Sequence, residues 1–127
     1  MHLQIDVKPR EEGQYLVSLS GRLDSDTVHP CAQRLDELLK ESVRMLVFDM
    51  AALQFISSMG IRLILNARKK IETYGGSLVM TNLQPQIEKV FDIAQVLPKA
   101  NIFASVEEAD AYYAAMQKRV LDEQKKP

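Results

Sequence analysis

A single α/β domain, built on a mixed and mostly parallel sheet of about five strands with about four helices, is predicted by three features of this chain. Strand-like and helix-like segments alternate in the order β-β-α-β-α-β-α-β-α, which implies parallel neighbours joined by right-handed crossovers. A nearly unbroken apolar run from Val43 to Met50 has the character of a central strand covered on both faces. Each candidate helix carries one apolar stripe and is bounded by capping residues, glycine or proline.

Leu3, Ile5 and Val7 alternate with Gln4 and Asp6, the period of a half-buried strand. Pro9 and Glu11-Glu12-Gly13 turn the chain, and Tyr15, Val17 and Leu19 face one way along a second strand, so an opening hairpin is expected. Gly21 to Thr27 is dense in turn and capping residues. The first helix starts near Asp26 or Thr27, because Pro30 is tolerated only where its missing N–H would be unpaired, and it carries Val28, Cys31, Leu35, Leu38 and Leu39. After the central strand, Ala51 to Gln54 lead into Phe55-Ile56-Ser57-Ser58-Met59-Gly60-Ile61. A helix from Ile61 to Tyr74 then keeps Gly60, Ile64, Ala67, Ile71 and Tyr74 on one stripe and ends at Gly75-Gly76. Ser77 to Thr81 is a short strand, Pro85 opens a third helix with Ile87, Val90, Phe91 and Ala94 inward, and Pro98 stops it. Ile102-Phe103 gives a last strand. Ser105 caps a final helix with Glu108 in capping-box register and the stripe Val106, Ala109, Tyr113, Met116 and Val120. The domain spans 1–121, and 122–127 reads as a frayed tail.

The balance of 16 basic against 17 acidic residues leaves a net charge of −1, which lacks the electrostatic footprint of a nucleic-acid binder. A single cysteine, Cys31, allows no internal disulfide and suits a reducing compartment. Its place in a helical stripe makes it a core thiol. Neither a signal-peptide pattern nor an apolar run of spanning length is present, so a cytoplasmic protein without membrane insertion is expected.

Ser57 and Ser58 open a helix just after the central strand. Serine there serves as a cap, and the same dipole end accommodates a phosphate. Asp24 and Asp26 follow the end of the second strand, and in parallel sheets loops beyond the carboxyl ends of strands converge. No catalytic constellation can be assembled: His2 and His29 lack metal-ligand spacing, and no Gly-rich phosphate loop or nucleophile elbow occurs. No catalytic residue, metal or cofactor is expected. A serine without a nearby histidine is a poor nucleophile but a serviceable phosphate acceptor. The pattern favours a binding module over an enzyme, and a small nucleotide-hydrolysing protein ranks last for want of a base and a phosphate loop.

Four segments, in order, resemble the anti-sigma-factor antagonist group of the STAS domain family: Gly21-Arg22-Leu23-Asp24, Leu46-Val47-Phe48-Asp49, Phe55 to Ile61, and Gly75-Gly76. The resemblance covers nearly the whole chain. It implies a STAS-like domain and a phosphate acceptor at Ser58, aligned on Gly60, with Ser57 in the place of the family's acid and as the alternative acceptor. It further implies a partner-binding surface of Asp24, Ser25, Asp26, Ser57, Ser58, Met59, Ile61 and Arg62. The partners implied are an anti-sigma factor that is also a serine protein kinase, and a serine phosphatase that reverses the modification. A monomer or weak dimer is expected. The loss of the acid supports a second reading, an unphosphorylated scaffold or accessory subunit, for example of a transporter ATPase.

Overall fold

The computed structural model describes residues 2–40, 42–94 and 102–124. Strands β1 (Leu3–Pro9) and β2 (Gln14–Leu23) form the expected antiparallel hairpin. There follow α1 (Val28–Leu38), β3 (Met45–Ile56), α2 (Ser58–Thr73), β4 (Ser77–Thr81), α3 (Pro85–Ala94), β5 (Ile102–Phe103) and α4 (Val106–Gln124). The five strands lie in sequence order in one sheet, and every neighbour after the hairpin is parallel.

Alternation along the strands divides the core between two faces. Leu46, Phe48, Leu78 and Met80 turn to one side, where Cys31 and Leu35 of α1, Ile61, Ile64, Ala67 and Ile71 of α2, and Ile87 and Phe91 of α3 cover them. Val47 and Val79 turn to the other, under Val106, Ala109 and Tyr113 of α4. Three crossovers of one hand place their helices on one face, and only the terminal helix is free to close the other. The central strand is thus buried on both sides, as its unbroken apolar run requires.

Two strands run further than the sequence pattern indicates. β3 continues through Ala51 to Ile56 instead of ending near Met50. Its pairing with β2 slips twice, between Ser18 and Ser20 and between Gly21 and Arg22, and at each slip β3 carries one extra residue. These bulges leave Met50, Leu53 and Ile56 buried and the residues between them exposed, so burial recurs every third residue and the period of two disappears. β2 likewise takes in Gly21 to Leu23, which the sequence places in a loop. Gly21 has φ +106°, and a Cβ there would lie 2.1 Å from the His2 carbonyl oxygen, which accepts from Arg22 N–H at 3.0 Å. Only glycine permits that approach.

Beyond Asp49, β3 outruns its β4 neighbour. Side chains take over there: Gln84 Nε2 donates to Ala51 O at 2.8 Å, while Asp49 Oδ1 accepts from Ala51 N–H at 3.0 Å and Asn82 Nδ2 at 3.2 Å. At the other end of the chain, α4 runs to Gln124, into the segment expected to fray, and 125–127 lie outside the described residues, as does Pro98. Met116, expected inside, is 41% exposed. Tyr113, beside Ser77 at the start of β4, is the last described residue of α4 that packs on the core, and past it the described side chains of the helix face solvent.

Candidate partner-binding site

The over-long ends of β2 and β3 bring two loops together. Ser57 N–H donates to Leu23 O at 2.9 Å, joining the start of α2 to the residue before Asp24. Gly60 allows this, because a Cβ at that position would meet Leu23 Cγ at 2.8 Å, Ile56 Cγ1 at 2.9 Å and Leu23 O at 3.0 Å. The first turn of α2 lies flat on the strand ends.

The two serines have different tasks. Ser57 is the N-cap, with extended backbone (φ −91°, ψ 172°), and its Oγ accepts from Gly60 N–H at 3.2 Å. Ser58 is the first helical residue, exposed, and among the described residues its hydroxyl has no hydrogen-bond partner. Capping is done by one hydroxyl and the other is left to solvent.

Opposite them, Asp24 organises the β2–α1 loop. Its Oδ1 accepts from Asp26 N–H at 3.0 Å and Thr27 N–H at 3.2 Å, and Arg22 Nε lies 3.5 Å from Oδ2. Thr27 is the N-cap of α1 without capping by its side chain, since its hydroxyl donates to Arg22 O at 2.8 Å. Desolvation works to raise the Asp24 carboxyl, but the bonds from Asp26, Thr27 and Arg22 together outweigh it and hold the group below the usual carboxylate range. Asp24 is therefore a charged, pre-set fixture of the loop. Ser25 and Asp26 are exposed beside it.

Of the other residues expected at this surface, Met59 is 49% exposed and Arg62 is exposed, whereas Ile61 is nearly buried and packs into the core. The structure adds Phe55, 38% exposed, with the Arg22 guanidinium 4.1 Å above its ring. It also adds a groove of about 480 Å³ between α1 and α2. One wall is the ridge Ser25, Val28, Ala32 and Leu35, the other Met59, Arg62, Leu63 and Asn66, and an Asp36–Lys70 ion pair at 3.7 Å spans it. The i, i+3 and i+4 ridges of each helix are legible in sequence, but the gap between them is not.

Burial pushes the Cys31 thiol up to about 11, which makes it inert. Among the described residues no group of three or more His, Cys, Asp or Glu is placed to hold a metal ion, and no helix is long and apolar enough to cross a membrane.

Comparison with known proteins agrees with this architecture. The sequence profile of the STAS domain matches residues 4–109. An anti-sigma F factor antagonist of Paenibacillus polymyxa is 30% identical over 95 residues, 74% of this chain and 80% of the relative. The unphosphorylated anti-sigma factor antagonist SpoIIAA superimposes with a TM-score of 0.75 at 18% identity, covering 88% of this chain and 96% of its own. The murine anion transporter Slc26a9 also matches, with a TM-score of 0.68 at 18% identity over 84% of this chain and 18% of the transporter. The fold is thus shared between free-standing regulators and domains of larger proteins, and the matched sequence profile, which runs from β1 into α4, places this chain in the STAS domain family.

Proposed function

We propose that this chain is an anti-sigma-factor antagonist working as a phosphorylation-controlled partner switch. Unmodified, it docks through the β2–α1 loop and the start of α2 on an anti-sigma factor that is also a serine kinase. The kinase transfers the γ-phosphoryl group of ATP to Ser58 Oγ, the hydroxyl proton is lost, ADP leaves, and the complex separates. A serine phosphatase restores the docking form. The protein itself binds and is modified, all in the cytoplasm, and catalyses nothing.

The observation that carries this reading is the division between the serines: Ser57 Oγ is occupied by Gly60 N–H, while Ser58 is exposed. Phosphorylating Ser58 leaves the cap in place. It adds about −1.5 to −2 charges at neutral pH. At the positive end of α2 that charge stabilises the helix by roughly 0.3–1 kcal/mol, whereas a misplaced like charge in an interface costs several kcal/mol. Docking is lost and the fold is kept. Asp24 and Asp26, across the loop, add to the repulsion of any acidic contact on the partner.

The test is recovery of the chain from its own cells, with peptide mass analysis before and after serine-phosphatase treatment. A removable phosphate on Ser58 supports the switch. Its absence across growth and stress conditions would leave a constitutive scaffold. Ser58→Asp should lose the kinase while Ser58→Ala retains it, and equal binding by both contradicts the switch.

A further inference from the structure

Among the described residues, Arg62 differs from the other cations near the site. Arg22 is held by Phe55 and Asp24, Arg68 lies 3.4 Å from Glu72, and Lys70 lies 3.7 Å from Asp36. Arg62 is exposed and has neither a hydrogen bond nor an ion pair. It stands one turn after Ser58 on α2, at the end of the α1–α2 groove marked by Ser25 and Met59.

Direction matters as much as spacing. Side chains on a helix lean toward its N-terminus, so a long side chain covers the turn before its own Cα. For Arg62 that turn begins at Ser58. An anion four residues before a cation is also the favourable order of an i, i+4 pair, and a guanidinium fork matches two phosphate oxygens. Nothing has to be displaced, because Ser57 already satisfies Gly60 N–H and Arg62 is unpaired.

We propose that Arg62 is the internal receptor for a phosphate on Ser58. The inference rests on Ser58 being the acceptor and adds how the modified state is held. Phosphorylation then acts twice: it adds negative charge at the tip of α2, and it draws the Arg62 guanidinium away from the groove mouth. The phosphorylated surface is changed over a wider area than the phosphate alone covers.

The test installs phosphoserine at position 58 during translation and follows its ³¹P resonance against pH at low salt. This is independent of whether any kinase modifies Ser58 in cells. With Arg62 present, the second phosphate ionisation should occur roughly 0.2–0.4 pH units lower than in Arg62→Gln, the shift equivalent to one surface i, i+4 ion pair. Arg62→Lys should recover part of the shift, and Arg119→Gln, an exposed charge on α4 away from the site, should leave the parent value unchanged. Equal titration of the parent and Arg62→Gln overturns the proposal. So does an equal rise in Arg119→Gln, which would trace the effect to net charge. Absence of phosphate on Ser58 in cells would defeat the partner switch and leave this titration untouched.

Discussion

Gly60→Ala tests whether close packing at the base of α2 positions the site. The added methyl carbon would lie 2.8 Å from Leu23 Cγ, 2.9 Å from Ile56 Cγ1 and 3.0 Å from Leu23 O. Neither side chain can swing into solvent, since Leu23 is fully buried and Ile56 is 5% exposed. The carbonyl cannot retreat without stretching its 2.9 Å bond from Ser57 N–H. Overpacking of this kind costs about 1–3 kcal/mol, while alanine's helix propensity returns at most about 1 kcal/mol at an interior position. A net loss of about 1–2 kcal/mol is expected. With unfolding entropy near 2.1 cal/mol/K per residue over a chain of this size, that lowers Tm by roughly 4–8 °C. Calorimetry and urea titration of parent and variant measure it. A Tm equal to or above the parent's would show that α2 shifts at no cost, and that contact with Leu23 does not fix the loop.

The serines should separate in stability as they do in geometry: Ser57→Ala loses about 1 kcal/mol of capping energy, while Ser58→Ala stays within about 0.5 kcal/mol of the parent by urea titration. Reversal of that order would exchange their roles. Asp24, held below its ordinary value of 3.8, contributes stability that is complete above that pH and is lost as pH falls through its lower folded value. The stability gap between parent and Asp24→Asn should therefore narrow on acidification from about pH 5 to pH 2, and a gap independent of pH would remove the carboxylate from the account. Cys31, fully buried with its thiol raised to about 11, should react with an aromatic disulfide reagent at pH 8 only as fast as the protein opens, and at once in urea. Rapid labelling of the native chain would contradict the packing of α1.

The fold was largely legible because each layer declares itself locally. Val43 to Met50 has the apolar run of a two-sided strand, the stripes of α1, α2 and α3 mark the face each helix turns to the sheet, Gly75-Gly76 follow the end of α2 and Pro85 opens α3. Legibility failed where a local rule was overridden by a neighbour. Ala51 to Ile56 pair with β2 through two bulges, so the alternation that marks a strand is broken while the strand persists. Met116 continues the stripe of α4 in sequence but faces solvent, because among the described residues the helix packs on the core only as far as Tyr113. A stripe says which face would be buried if something were there to cover it.

At the site the same limit operates on a finer scale. Ser57 and Ser58 are identical in chemistry and adjacent in sequence, and only the helix register decides which hydroxyl accepts from Gly60 N–H and which stands free. The Phe55–Arg22 stack required knowing that β2 and β3 are parallel neighbours with those two residues in register, a consequence of the second bulge. Without that extra residue, Gln54 would lie opposite Arg22 and Phe55 would turn to the buried face. A bulge that looks like a defect in the pattern is thus what keeps an aromatic ring exposed beside the loop that carries Asp24. The irregular stretch of β3 and the surface it presents have one cause.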